Sequence, residues 1–399
     1  MSLTQLSKRI LGWLGRPLRS EHSAETKLRG PQAHVIILDG TMSTLEPGHE
    51  THAGMVYRLC REVGPQVSVF YEAGVQWQSW RKTTDVMIGR GINRQIRRAY
   101  GYLASRYRPG DRIYLMGYSR GAYAVRSLAG VIDEVGLLKA EHATVRNIRT
   151  AYRHYQCGGA SASGMRDHTA TSLPPVAETG AETAPEPDAT GHGQAMAQTG
   201  ACVASTFSER YCHRNVEIEM VGVWDTVKAL GLRLPLLWRW AERRHGFHNH
   251  QLGRHVKNGF HALALDETRR VFEPVLWECP DGHDGKVEQV WFRGSHGDVG
   301  GQLGGFEAAR PLSNVSLVWM LERAENCGLP LPRDWRMRFP VDPTAPSVGT
   351  WRGWGKIFLL RGKRRVGLDS SERLHSSVGA NATDKRLAHW QSEMSKAAR

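Results

Sequence analysis

Gly117-Tyr118-Ser119-Arg120-Gly121 is the most informative segment for the fold of this chain of 399 residues. A strand-like run precedes the stretch at residues 112–116, and a helix-like run follows it at residues 122–129. The pattern therefore places a serine at a sharp turn from a strand into a helix. Side chains two residues to either side of the serine would collide in such a turn. Glycine at both places removes the Cβ atoms and tolerates a strained backbone.

A Gly-x-Ser-x-Gly pattern in this setting is the nucleophile elbow of α/β hydrolases. It predicts Ser119 as a nucleophile whose oxygen stands at the carboxyl end of a sheet, with the amides of the next helix behind it. The elbow glycines are Gly117 and Gly121.

Strands and helices are predicted to alternate along the chain around this elbow. Short runs rich in apolar, β-branched or aromatic residues predict strands at 35–38, 67–71, 112–116, 216–224 and 287–292. Helical patterns lie at 54–63, 92–106, 122–135, 252–265 and 312–327. This alternation predicts an α/β-hydrolase-like, doubly wound, mostly parallel sheet with helices on both faces.

The composition predicts three parts and one insertion. Residues 1–32 are interpreted as a basic N-terminal extension, 33–342 as the α/β-hydrolase domain and 343–399 as a basic C-terminal extension. Residues 158–204 are dominated by Ala, Thr, Gly, Ser and Pro. They have too few large apolar side chains to offset the entropy of ordering, which predicts a disordered insertion within the domain.

The charge balance points to an anionic partner. A formal net charge of +14 would attract phospholipid head groups, nucleic acid or an acidic protein, and a merely solvated basic surface is the alternative. We expect Lys8, Arg9, Arg364 and Arg365 to face one membrane-binding surface.

The cysteines and the apolar runs bear on metal or redox sites and on the cellular location. The six cysteines include no Cys-x-x-Cys pair, which argues against a zinc ribbon or a dithiol redox site. The sequence shows neither a run of 18 apolar residues nor a signal-peptide cleavage pattern. We therefore predict a protein that is cytoplasmic in the producing cell, without a signal peptide or a transmembrane span.

A serine nucleophile needs a base to take its proton and a carboxylate to hold that base. In α/β hydrolases the acid and then the histidine follow the serine, on loops after later strands. Asp225 follows the predicted strand 216–224, and His296 follows the strand 287–292 in a glycine-rich loop. Asp298, two residues beyond the histidine, is the alternative acid.

The oxyanion hole is expected from two backbone amides. One is the amide of Arg120, and the other comes from Gly40 or Thr41 after the first predicted strand. This chemistry needs no cofactor and no metal. A metal-dependent phosphoesterase built on Asp39, Asp225 and Asp298 is the alternative enzyme, although the histidines between 245 and 261 match no zinc spacing.

Six motifs in order resemble a known family. They are Leu38–Thr41, Tyr71–Val75, Gly117–Arg126, Gly222–Val227, Phe260–Glu267 and Trp291–Gly301. Over roughly residues 33 to 330 the chain is similar to the α/β-hydrolase domain of bacterial type VI secretion phospholipase effectors, the first lipase-effector family. It departs from the family at Gln76-Trp77, where a Gly-Thr pair is usual.

The resemblance implies Ser119 as nucleophile, Asp225 as acid and His296 as base. It also implies esterase or phospholipase activity on membrane glycerophospholipids. The implied partners are a membrane surface or lipid ester, an immunity protein and a secretion spike protein, not nucleic acid, with export by type VI secretion. The alternative from another class is a non-catalytic α/β scaffold that binds an anionic partner or a membrane.

Overall fold

A computed structural model describes residues 29–74, 90–164, 205–227, 251–279, 286–352, 355–356 and 358–378. The predicted N-terminal extension up to residue 28, most of the predicted insertion (165–204) and residues 379–399 lie outside the described residues, as do Gln76-Trp77.

Within the described residues, seven parallel strands form the central sheet, in the order β2-β1-β3-β6-β7-β8-β9. A short antiparallel pair, β4 and β5, stands apart from it. The strands are β1 Ala33–Leu38, β2 Val67–Glu72, β3 Arg112–Tyr118, β4 Leu137–Leu138, β5 Cys212–His213, β6 Met220–Trp224, β7 Asn258–Ala264, β8 Lys286–Phe292 and β9 Glu372–Leu374. The predicted mostly parallel α/β fold is confirmed.

Helices cover both faces of the sheet. They are α1 His52–Val63, α2 Arg90–Ala104, α3 Arg120–Val135, α4 Val145–Gly164, α5 His296–Gly300 and α6 Arg310–Asn326. In β1, Ile36 and Leu38 pack into one core with residues of α2, α3 and α4. Val35 and Ile37 point to the other face and pack with residues of α1 and α6. Burial on both faces explains why β1 is an uninterrupted apolar run.

The helix predicted at 252–265 is wrong, because this segment supplies the inner strand β7. β7 lies between β6 and β8, and six of its seven residues are buried. A continuous apolar run does not distinguish a doubly buried strand from a buried helix. Gly259 suits the strand, since a Cβ there would lie 2.9 Å from the Leu252 side chain.

Two segments depart from the predicted organisation. Helix α4 continues to Gly164, into the stretch predicted as the insertion. Beyond residue 342, β9 pairs with β8 at the edge of the sheet, so described residues of the basic C-terminal segment belong to the fold. In that segment Arg364 is only 6% exposed, and its predicted place on a membrane-binding surface is wrong. None of the helices within the described residues is long and apolar enough to cross a bilayer.

Candidate active site

Ser119 stands at the turn between β3 and α3 with φ of 57° and ψ of −119°, a strained backbone for a residue other than glycine. The flanking glycines are required by close packing. A Cβ on Gly121 would lie 2.0 Å from the Leu38 carbonyl oxygen, and one on Gly117 would lie 2.6 Å from the Gly121 oxygen. The local sequence therefore builds the sharp turn that the motif predicts.

The structure brings Ser119, His296 and Asp225 together. His296 Nε2 lies 2.9 Å from Ser119 Oγ, and His296 Nδ1 lies 2.5 Å from Asp225 Oδ2. The three residues are 6%, 5% and 0% exposed, respectively. A hydroxyl, an imidazole and a carboxylate in this chain of hydrogen bonds can pass a proton from the serine to the histidine.

Aromatic rings hold the imidazole of His296 in place. The Phe272 ring stacks on it with centroids 4.7 Å apart, and the Tyr118 ring lies 4.9 Å away. The Tyr118 hydroxyl also donates to the His296 carbonyl oxygen at 3.2 Å. These contacts restrict the ring to the plane that reaches both Ser119 and Asp225.

Asp225 is held by an unusually dense set of donors. Its Oδ1 accepts the Ala264 amide at 3.0 Å and Arg364 Nη1 at 2.6 Å, and its Oδ2 accepts Arg364 Nη2 at 2.8 Å. Burial alone would raise the pKa of Asp225. The charge of Arg364 and the hydrogen bonds from His296 and Arg364 more than offset it and hold that pKa well below its usual value.

Asp298, the alternative acid, accepts hydrogen bonds from groups other than the His296 ring. Its Oδ2 accepts the amide and hydroxyl of Ser295 at 2.7 and 2.8 Å and the Ser347 hydroxyl at 2.6 Å. Its Oδ1 accepts the Val348 amide at 2.8 Å. The carboxylate thus caps α5 and fastens residues 347–348, while the His296 ring bonds to Asp225.

The amides predicted for an oxyanion hole are not equivalent. The Gly40 amide donates to Asp39 Oδ1 at 2.6 Å and is already occupied. For the amides of Thr41 and Arg120, the hydrogen bonds among the described residues include no acceptor. Arg120 is the first residue of α3, whose amide has no partner within the helix. Of the three predicted donors, Thr41 and Arg120 therefore remain candidates for the oxyanion hole.

Asp39 anchors the loop that carries Gly40 and Thr41. Its Oδ2 accepts the Thr51 hydroxyl at 2.6 Å and the Tyr71 hydroxyl at 2.8 Å. Burial raises the pKa of Asp39 to about 6, and hydrogen bonds from Thr51, Tyr71 and Gly40 only partly counter this. Gly74 packs on the same loop, since a Cβ there would lie 2.0 Å from the Gly40 oxygen.

Two further residues around His296 were not predicted from the sequence. The Glu267 carboxylate accepts the His296 amide at 3.1 Å and pairs with Arg269 at 2.6 Å. Glu267 lies in the motif Phe260–Glu267, but the motif alone does not indicate what this carboxylate does. Arg364 belongs to the basic run Arg361–Arg365. Such a run is typical of a solvent-exposed segment, so the sequence does not indicate that Arg364 is buried.

Carboxylates and histidines that could bind a metal do not cluster among the described residues. Among the described ranges, no group of three His, Cys, Asp or Glu side chains could hold a metal ion. His255 pairs with Asp133 at 2.6 Å, and His261 Nε2 accepts the Thr226 amide at 3.1 Å. His245, His248 and His250 lie outside the described residues.

The sequence matches the family described as "T6SS, Phospholipase effector Tle1-like, catalytic domain" over residues 32–323. The chain belongs to this family. The resemblance drawn from the six motifs is therefore confirmed, and the Tle1-like match includes Ser119, Asp225 and His296 but ends before Arg364.

Other similar proteins are more distant. The uncharacterized protein YEL023C of Saccharomyces cerevisiae is 24% identical over 260 residues, which are 61% of this chain and 32% of that protein. The chain thus spans about a third of this curated relative.

Two solved structures are 14% identical to the chain. An uncharacterized protein from Pseudomonas aeruginosa has a TM-score of 0.40, with 86% of this chain and 53% of that chain covered. The Tle1 effector bound to the VgrG spike of the type 6 secretion system has a TM-score of 0.26, with 68% and 51% covered. The chain spans about half of each.

Proposed function

We propose that this Tle1-like chain is a serine hydrolase that cleaves acyl esters of membrane glycerophospholipids. The observation that carries the proposal is the hydrogen-bonded chain from Ser119 through His296 to Asp225 at a strained elbow. Membership of a family described as phospholipase effectors supports the lipid substrate.

The first half of the reaction transfers the acyl group to the enzyme. Ser119 Oγ attacks the ester carbonyl carbon while His296 Nε2 takes the hydroxyl proton. The amides of Arg120 and Thr41 stabilise the oxyanion of the tetrahedral intermediate, each by on the order of 3 kcal/mol. Asp225 holds the imidazole in the tautomer that presents a bare Nε2 to the serine. The intermediate collapses as His296 returns the proton to the leaving alcohol.

The second half regenerates the serine. Water attacks the acyl-enzyme, and His296 Nε2 removes its proton. Collapse of the second tetrahedral intermediate breaks the bond to Ser119 Oγ, which recovers a proton from His296. The products are a free fatty acid and a lysophospholipid, without a cofactor.

Three exposed apolar side chains between residues 351 and 360, called the apolar ridge below, support a lipid surface as the partner. They are Trp351, Leu359 and Leu360, which are 59%, 81% and 62% exposed. Exposed large apolar side chains mark interaction sites when they form one patch. In sequence the ridge is flanked by the exposed cations Arg352, Lys356 and Arg365, which favour anionic head groups.

Aromatic contacts link the chain beside the ridge to the candidate base. Phe358, next to Leu359 in sequence, lies 5.7 Å from the Phe272 ring, and Phe272 stacks on His296. The segment that carries the ridge is therefore packed against the residue that covers His296.

The family description also supports a proposal for the biological setting. We propose that the protein is made in the cytoplasm and exported by type VI secretion, with a spike protein as carrier and an immunity protein as inhibitor. The family description as a secretion effector supports export.

Mass spectrometry of the products from phosphatidylglycerol vesicles tests the proposed bond. Release of free fatty acid and lysophosphatidylglycerol, absent with Ser119→Ala, is expected. Phosphatidic acid or diacylglycerol as the product would show cleavage at phosphorus and overturn the proposal. A supplementary assay at high EDTA should leave the rate unchanged, because no step uses a metal.

A further inference from the structure

We propose that Arg364 is a positioning residue of this hydrolase, which keeps the Asp225 carboxylate ionised and aimed at His296. The inference rests on the proposed function. It also assigns a role in the active site to a segment beyond residue 323, where the family match ends.

The contact is a two-pronged ion pair. Arg364 Nη1 donates to Asp225 Oδ1 at 2.6 Å, and Nη2 donates to Oδ2 at 2.8 Å. This planar fork fixes the carboxylate plane, which a point charge would not do. Because His296 Nδ1 bonds to the same Oδ2 at 2.5 Å, the orientation of the carboxylate sets that of the imidazole.

The guanidinium is itself immobilised. It is buried, and it also donates to the carbonyl oxygens of Ala264 at 2.7 Å and of Phe272. Ala264 ends β7, and Phe272 carries the ring that stacks on His296. One side chain thus links the acid, the strand behind it and the loop that covers the base.

Within the part of the chain that the structure describes, Arg364 is the cation that pairs directly with Asp225. Further ionisable groups there that interact with this carboxylate include His296 of α5, His261 of β7 and Tyr118 of β3. Glu267 pairs with Arg269 and accepts the amide of His296. Burial lowers the pKa of His261 to about 3, so it brings no charge at neutral pH.

Loss of the pair would therefore favour the protonated carboxyl form. A protonated Asp225 has lost the charge that holds the imidazole in its working tautomer. Arg364 should thus determine how far the pH can fall before the acid stops functioning.

Kinetics on a soluble short-chain ester test this role with Arg364→Met, Arg364→Lys and the control Arg373→Met. Arg373 is an exposed arginine of β9 that bonds to backbone oxygens. For Arg364→Met we expect kcat to fall about 10²-fold with little change in KM. Arg364→Lys should recover only part of this loss of kcat, because a point charge does not fix the carboxylate plane, and Arg373→Met should match wild type.

A double-mutant cycle guards against misfolding. Asp225→Asn removes the charge that Arg364 neutralises, so Arg364→Met/Asp225→Asn buries no unpaired carboxylate. If Arg364 acts through Asp225, the double variant should be no more than about twofold slower than Asp225→Asn alone. Fully additive losses, or a wild-type kcat in a folded Arg364→Met that merely melts earlier, would overturn the proposal.

Proton NMR separates this inference from the proposed function. The His296 Nδ1 proton, bonded to Asp225, should give a downfield resonance that survives to lower pH in wild type than in Arg364→Met. If the two proteins differ in this way but show no Ser119-dependent hydrolysis, the role of the ion pair is supported and the proposed hydrolase function is wrong. Equal pH ranges in the two proteins would contradict the inference.

Discussion

His296 Nε2 lies 2.9 Å from Ser119 Oγ, although 177 residues separate the two along the chain. The parallel sheet brings them together, because β3 and β8 both end at the same edge. Ser119 follows one strand and His296 the other, while Asp225 follows β6 between them. Ligands of open α/β sheets bind at this carboxyl edge.

Asp225→Asn should slow ester hydrolysis on the order of 10⁴-fold, because the amide loses the charge that orients His296. The protein should remain folded, since asparagine keeps the shape of the side chain. Steady-state kinetics on a soluble ester, with circular dichroism for folding, provide the measurement.

Asp298→Asn is the matched comparison. It should lower the melting temperature, because its carboxylate holds Ser295, Ser347 and Val348 together. The folded fraction should turn over at nearly the wild-type rate. If Asp298→Asn were the catalytically severe change and Asp225→Asn the mild one, the two aspartates would exchange roles.

Asp39 should make stability depend on pH in a defined window. Its pKa rises from 3.8 in the unfolded chain to about 6 in the folded one, so folding favours the protonated form. Its contribution to stability is fully present below the lower value and is lost as pH rises through the upper one. Relative to the non-titrating Asp39→Asn, wild type should lose about 3 kcal/mol of unfolding free energy between about pH 4 and about pH 7. Urea titrations of both proteins measure this, and a pH-independent difference would refute it.

The apolar ridge should matter on membranes and not on soluble substrates. Leu359→Ser/Leu360→Ser should sharply reduce hydrolysis of phosphatidylglycerol vesicles while leaving a short-chain ester unaffected. Each exposed cation beside the ridge adds up to about 1 kcal/mol of attraction, which salt screens. Vesicle hydrolysis should accordingly fall steeply with salt, and Arg365→Glu should reproduce that fall at low salt.

Met337→Ser is the control for Leu359→Ser/Leu360→Ser, because Met337 is 82% exposed but lies in a different segment. It should not alter vesicle hydrolysis. Equal salt dependence on vesicles and on the soluble ester would remove the membrane-binding role and leave an esterase whose charge serves another partner.

The sequence was most informative where local chemistry dictates local structure. The glycines around Ser119 predicted the elbow because the turn tolerates no other residue there. The segment around Phe260 is a strand and not the predicted helix. Its place between two other strands depends on tertiary structure, which an apolar run does not reveal. The burial of Arg364 is not predicted for a related reason. It depends on a carboxylate 139 residues away, whereas the basic residues around Arg364 are typical of a solvent-exposed segment.

Fluorophosphonate labelling tests whether Ser119 is the nucleophile. Wild type should be modified at Ser119, as located by peptide mass spectrometry, with loss of ester hydrolysis in step with labelling. Ser119→Ala should be neither labelled nor active, while the control Ser127→Ala, on the helix after the elbow, should behave as wild type. Labelling at another residue, or more than about a tenth of the activity in a folded Ser119→Ala, would contradict the account, because removal of a serine nucleophile costs far more than tenfold.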